Sequence, residues 1–213
     1  MIFSLLTMTL TLAEPPKMVA LPAGNYRPLY MNKNSPQTFV GAFSIDVTPV
    51  TNAQYLTFVI NNPRWQSQQI PSIFAEAQYL QHWQQNLTPK QPSQGQLNSP
   101  VVNVSWFAAQ AYCHSLNKSL PTVAQWERVA SASATQPNGS LEKSYNQRIL
   151  QWYSRPSSKQ LPEVGTNPAN YWGAQDLHGL IWEWTEDFNS ALVSGESRGC
   201  LLYTSPSPRD MRR

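Results

Sequence analysis

A segment near the C-terminal end limits what this chain can fold into. Residues 164–189 contain three Gly, three Trp and three Asn. Glycine and asparagine favour turns, and tryptophan supplies a large apolar surface for packing. The segment is therefore predicted to be irregular, and its order must come from aromatic packing more than from long helices or sheets.

The whole chain has the composition of one folded domain with few charges. It has 213 residues, eight Trp, nine Tyr and seven Phe, but only 13% charged residues, against roughly 25% in ordinary soluble domains. A net charge of +3 is too weak to indicate nucleic-acid binding. No apolar run is long enough to predict a membrane span. Cys113 and Cys200 are too far apart to indicate a disulfide framework or a zinc site.

The first 13 residues are predicted to be a short secretory signal peptide. Residues 1–13 carry no charge, and Thr11 and Ala13 form an exit of the Ala-x-Ala type. The segment lacks the usual basic start, so a buried first strand or a misplaced start is the alternative. A signal peptide would direct the chain to the periplasm or the exterior, where conditions are oxidising.

The last 14 residues are not expected to belong to the fold. Residues 200–213 read CLLYTSPSPRDMRR, which resembles a translated sequencing adapter. The genuine domain is then expected to be cut short near Gly199, with Cys113 as its one genuine cysteine. Removing the three Arg and one Asp of this tail lowers the net charge from +3 to +1.

Short strand and helix patterns occupy the first half of the chain. Residues 18–26 begin as a strand and end at a Pro/Gly turn, and residues 39–47 alternate well enough to predict a second strand. Thr51 or Asn52 is a suitable N-cap for the helix that follows.

Residues 63–100 differ in composition, with ten Gln and five Pro among bulky apolar residues. A short helix is predicted around Ile73–Gln85, inside a long surface excursion. We interpret the excursion as a solvated insertion, with a substrate-binding loop as the alternative.

The second half begins with a short apolar strand at residues 100–104. Ser105 is a suitable N-cap for the next helix, and Thr122 for a helix over Val123–Ala134. Residues 135–163 are polar, with a turn signal at Asn138 and Gly139 and a local aromatic anchor at Trp152 and Tyr153.

Five sequence blocks occur in an order that is far more specific than any one of them. They are Met18–Tyr26, Phe43–Tyr55, Pro100–Trp106, Leu120–Glu127 and Gly173–Asp187. In this order they resemble the formylglycine-generating enzyme family, also called the sulfatase-modifying-factor domain. The resemblance covers about residues 18–189, and the domain is predicted over 18–199.

The resemblance implies an α+β fold of the irregular, C-type-lectin-like kind, with little regular secondary structure. It places Trp106, Trp126 and Glu127 in scaffold elements, so these residues are expected to be structural. Cys113 lies on the apolar face of its predicted helix, which favours a buried, inert thiol.

The resemblance also implies a calcium loop over residues 176–183. Its ligands would be the side chains of Asp176 and Glu183 and the backbone carbonyls of Gly179 and Ile181. Calcium accepts carbonyl and carboxylate oxygens equally well. The alternative is that Asp176 caps a turn and Glu183 pairs with a neighbour. His178 is expected to be solvated, without a transition-metal role.

Two functions follow from the resemblance, and the sequence leaves both open. The first is an oxidase that converts a cysteine of a protein or peptide substrate, such as a sulfatase-like enzyme, to formylglycine. It needs copper on a C-terminal cysteine pair, which would lie in the part of the domain expected after Gly199, so no catalytic residue is assigned. The second is a noncatalytic accessory or binding domain on the same scaffold.

Overall fold

The structure is a computed structural model that describes residues 13–28, 36–154 and 160–188. Most of the predicted signal peptide and the whole adapter-like tail lie outside these residues. The described elements, in chain order, are the strands and helices β1 (Met18–Leu21), β2 (Gly24–Tyr26), β3 (Thr38–Val40), β4 (Phe43–Asp46), α1 (Asn52–Asn61), α2 (Trp106–Ser115), α3 (Val123–Ala130) and α4 (Lys143–Tyr153). None of the described helices is long and apolar enough to cross a membrane.

The four strands form two small antiparallel pairs. β1 pairs with β4, with Met18 opposite Asp46. β2 pairs with β3, with Gly24 opposite Val40. The strand predicted over residues 39–47 is therefore two strands, interrupted after Val40 so that each half pairs with a different partner.

The helix starts agree with the sequence predictions. Thr51 accepts a hydrogen bond from the Gln54 backbone N–H, and the Gln54 side chain accepts one from the Thr51 N–H, which completes a capping box. Thr122 begins α3 in the same way, and Ser105 caps α2. Capping depends on a few neighbouring residues, so it is readable from sequence.

The larger hydrophobic core lies between α1, α2 and the residues 63–100. We call it the aromatic core, and its buried members are Tyr55, Leu56, Phe58, Val59, Trp65, Tyr79, Leu80, Trp83, Ala108 and Tyr112. The prediction of a solvated insertion was wrong for its bulky residues, because Trp65, Tyr79 and Trp83 are all buried here.

Three secondary-structure predictions were wrong in detail. Residues 73–85 form turns instead of a helix, and residues 100–104 contribute one isolated bridge instead of a strand. α3 ends at Ala130, four residues early, because the chain turns at Ser131. The polar segment 135–163 contains the helix α4, which was not predicted. Only Tyr145 of this helix is buried, so its sequence shows little apolar pattern.

The described part of the Gly- and Trp-rich segment is irregular, as predicted. It packs on a smaller core of Leu21, Val129 and Ala174. Asn170 holds the segment to α3, since its side chain donates to the Val129 carbonyl at 2.8 Å. The same side chain accepts from the backbone N–H groups of Trp172 and Ala174.

Candidate functional site

A groove of about 480 Å³ opens between the β1–β4 pair, α2 and the residues 181–184. We call it the central groove. Phe43 and Ile45 of β4 form one wall, Tyr112 of α2 forms another, and Ile181 and Trp182 complete the rim. The volume is within the range of roughly 300–1,000 Å³ that ligand pockets occupy.

An ion pair inside the central groove was not predicted from the sequence. The Lys118 ammonium lies 2.5 Å from a carboxylate oxygen of Asp46. Their positions are 72 residues apart, so no local pattern could have paired them. The pair places charges of both signs beside the apolar walls of the groove.

Cys113 also lines the central groove, but its thiol is not activated. Burial raises the pKa of the Cys113 thiol to about 11, and the nearby Asp46 carboxylate adds to the increase. A thiol is nucleophilic only as a thiolate. Cys113 is therefore almost entirely protonated at neutral pH, in agreement with the predicted inert role.

The four predicted calcium ligands lie in or beside the turn formed by residues 177–180. Asp176 has a left-handed backbone with φ of 62°, and Gly179 has φ of 100°. The Asp176 side chain is 4% exposed. One of its oxygens accepts from the Asn167 amide at 2.6 Å, and the other accepts from the Gly165 backbone N–H at 2.5 Å.

Glu183 lies at the other end of this turn and faces α3. One of its carboxylate oxygens accepts a hydrogen bond from the Trp126 indole at 2.6 Å. Burial raises the pKa of Glu183 to about 7, and the carboxylates of Asp176 and Asp46 raise it further, although the Trp126 bond opposes them. Two acidic side chains, Glu183 and Asp46, thus line the groove.

The predicted scaffold residues have structural contacts. The Trp106 indole donates to the Thr185 carbonyl at 2.9 Å. Glu127 accepts from the Tyr26 hydroxyl at 2.9 Å, which connects α3 to β2. These contacts agree with the structural roles expected for Trp106, Trp126 and Glu127.

The expectation that His178 is solvated was wrong. Its ring lies between those of Trp126 and Tyr145, with centroid distances of 5.6 and 6.1 Å. Its Nε2 is 2.9 Å from the Ala130 carbonyl, and burial lowers the pKa of His178. Among the described residues, no three His, Cys, Asp or Glu side chains are grouped as a metal site.

An aromatic cluster extends the rim of the central groove. Trp182 is 46% exposed and contacts Trp152 and Tyr153 of α4, with ring centroids 5.5 and 5.7 Å apart. Large exposed aromatic surfaces are typical of binding sites. The composition of the segment that contains Trp182 predicted aromatic packing, but it did not show which tryptophan is exposed to solvent.

The mixture of short strand pairs, four helices and long irregular segments is an α+β fold of the formylglycine-generating-enzyme type. A solved structure described as the crystal structure of CarF has a similar fold, with a TM-score of 0.53 and 19% sequence identity. The match covers 81% of this chain and 80% of that one. At this identity the likeness concerns the fold alone.

The chain belongs to the family of the sulfatase-modifying factor enzyme 1-like domain, whose sequence model matches residues 5–202. The resemblance drawn from the five sequence blocks is thereby confirmed.

Characterised relatives carry different names. The mouse protein called inactive C-alpha-formylglycine-generating enzyme 2 is 27% identical, over 81% of this chain and 69% of its own length. The cattle formylglycine-generating enzyme is 26% identical, over 86% of this chain and 61% of its own length. A Chlamydia caviae protein named serine/threonine-protein kinase pkn1 is 27% identical over 71% of this chain, which spans only 24% of that protein.

Proposed function

We propose that this chain is an exported, noncatalytic polypeptide-binding domain of its family. It holds an extended segment of a partner protein, such as a sulfatase-like enzyme, in the central groove. The observation that carries the proposal is the groove itself, which combines apolar walls, an exposed aromatic rim and one ion pair.

The shape and chemistry of the central groove suit an extended peptide. β4 pairs only with β1 among the described strands, and it lines the groove. A bound segment could therefore add to a strand edge while its apolar side chains contact Phe43 and Ile45. The Asp46–Lys118 pair would orient polar groups of the segment.

The groove cysteine and two relatives favour binding over oxidation. Cys113 is half-buried, and burial raises the pKa of its thiol to about 11, so it is a poor copper ligand at neutral pH. Relatives named as inactive enzymes, in mouse and cattle, support a noncatalytic role for this scaffold.

The first prediction concerns Trp182, the exposed aromatic residue of the groove rim. We would select binders from a displayed library of short random peptides and measure their affinity by fluorescence anisotropy. Trp182→Ala should weaken binding at least about tenfold, because rim aromatics often contribute more than 1.4 kcal/mol. Phe39→Ala is the matched control, since Phe39 is 69% exposed and lies outside the groove.

Two further measurements decide the outcome. Ser119→Trp should block the groove without entering a core, because Ser119 is exposed at the groove wall. Peptide affinity equal to that of the parent chain, in both this variant and Trp182→Ala, would refute the proposed site. Titration with Cu(I) tests the oxidase alternative, with Cys200→Ser as the control for the adapter-like tail. Stoichiometric Cu(I) binding that persists in Cys200→Ser would contradict the noncatalytic proposal.

We also propose that the turn over residues 176–183 binds structural calcium. Each Asp176 oxygen accepts one hydrogen bond, and a carboxylate has about four acceptor positions in all. Both oxygens can therefore still coordinate a cation. Glu183 would supply a second carboxylate, and the carbonyls of Gly179 and Ile181 would complete the protein ligands. Such an ion would hold the groove rim in place.

The second prediction is that calcium raises the melting temperature of this chain. At a concentration ten times Kd, the increase should be about 3–6 °C, and EDTA should reverse it. Glu183→Gln should abolish the increase, although its amide oxygen can still accept from Trp126. Glu163→Gln, at an exposed position, should behave like the parent chain. An equal increase with magnesium, or none with calcium, would contradict the proposed site.

A further inference from the structure

Arg128 is a buried cation without a carboxylate partner. It lies in the last turn of α3 and is 5% exposed. Its Nη1 is inaccessible to solvent and makes no hydrogen bond. No carboxylate of the described residues lies within ion-pairing distance of it. Buried arginines are normally paired, because an isolated charge loses its hydration.

A second unsatisfied donor lies beside it. The Arg128 guanidinium carbon is 5.7 Å from the centre of the Trp172 ring, and the Trp172 Nε1 is also buried without an acceptor. Arginine and the tryptophan indole can donate hydrogen bonds but cannot accept them. The two side chains therefore share the same deficit, which only an acceptor can remove.

Gly24 lies directly against the guanidinium. A Cβ atom at this position would lie 2.8 Å from the Arg128 Nη2, which is closer than Cβ atoms come to other heavy atoms. The β2 strand can therefore pass this close to the cation only because residue 24 has no side chain.

Contacts within the chain do not account for this arrangement. Arg128 stacks face to face on Trp172. The N–H donors of both groups point outward in the planes of those groups, so the stacking does not satisfy them. The C-terminal end of α3 favours a positive charge, but it supplies no hydrogen bond to Nη1.

We propose that Arg128 and Trp172 form a binding site for a small oxyanion, such as a carboxylate or a phosphate group. The guanidinium would supply the charge and a fork of N–H donors, and the Trp172 indole would supply one more donor. Neither residue lines the central groove. The site is therefore additional to the proposed peptide-binding function and can be tested apart from it.

The test is a thermal melt of the full chain at constant ionic strength, with chloride replaced by phosphate, sulfate or acetate. The parent chain should gain about 3–6 °C when one of these anions reaches ten times its Kd. A response to acetate alone indicates a carboxylate ligand, and a response to phosphate or sulfate indicates a tetrahedral one.

Three variants make the result specific. Arg128→Met should remove the response, and Trp172→Phe should weaken the anion affinity at least about tenfold because one hydrogen bond to a charged acceptor is lost. Arg64→Met is the matched control, since Arg64 stacks on Trp65 at 4.9 Å and belongs to another region. An absent response in the parent chain would overturn the proposal, as would an unchanged response in Arg128→Met. Peptide binding in the central groove should be unaffected by Arg128→Met.

Discussion

Trp83→Ala is expected to lower the free energy of unfolding by about 4 kcal/mol. Trp83 is 1% exposed at the centre of the aromatic core, and its ring meets the edge of Tyr55 with centroids 6.3 Å apart. Removing the indole would leave a large cavity that the surrounding rings cannot fill. It would also leave the Asn52 side-chain oxygen without its partner, which now lies at 2.9 Å.

Urea unfolding followed by circular dichroism measures this effect. Phe39→Ala removes a mostly exposed ring and should change the free energy by less than about 0.5 kcal/mol. Trp83→Phe should cost less than Trp83→Ala, because the core stays mostly filled while the bond to Asn52 is lost. A loss below about 1 kcal/mol for Trp83→Ala would show that residues 63–100 are not part of the cooperative core.

Asn52→Asp is expected to lower the free energy of unfolding about as much as Trp83→Ala does, although it replaces only an amide nitrogen with an oxygen. Asn52 is 2% exposed. Its Nδ2 lies 3.0 to 3.3 Å from three backbone carbonyls, those of Gln96, Ser99 and Pro100. A carboxylate there would face three acceptors and no donor except Trp83. An uncompensated buried charge costs about 3–5 kcal/mol.

The loss caused by Asn52→Asp should depend on pH. Burial and the three carbonyls raise the folded-state pKa of the introduced carboxyl above its unfolded value of about 3.9. The neutral form is thus favoured in the folded state, so the variant is least impaired below pH 4 and loses stability as pH rises through the folded pKa.

The control for this variant is Asn138→Asp. Asn138 is exposed, and its side-chain oxygen accepts from the Ser140 backbone N–H at 3.0 Å, a role that a carboxylate can fill. Its stability should follow that of the parent chain between pH 4 and 8. If Asn52→Asp shows the same flat profile, the Asn52 side chain does not hold residues 96–100 as described.

The central groove and the aromatic core are connected through Asn52 and the residues 99–101. Asn52 binds the carbonyls of Ser99 and Pro100, and the next residue, Val101, lines the groove. Loosening of the core by either substitution should therefore weaken peptide binding as well as stability. The predicted solvated excursion is thus part of what shapes the site.

Local features of the fold could be predicted from the sequence. Thr51, Ser105 and Thr122 all begin helices in the structure, because an N-cap needs only its own side chain and an N–H a few residues along the chain. The irregularity of the Gly- and Trp-rich segment followed from composition. α4 escaped prediction because most of its residues remain in solvent.

Much of the candidate site could not be predicted in this way. The environment of His178 was misjudged, because its partial burial depends on α3 and α4 packing against its ring. The Asp46–Lys118 pair and the Trp182 rim were missed. Their partners lie on other elements, and no spacing along the chain marks them.

The sequence by itself determined the family, the irregular α+β fold, the helix starts and the inert character of Cys113. Each of these depends on motif order, composition or short-range hydrogen bonding. Only the tertiary structure decided that residues 63–100 build a core, that a groove opens beside β4, and that Arg128 is buried beside Trp172 without an acceptor. These features depend on which distant segments pack together, and packing partners are not specified by any local pattern.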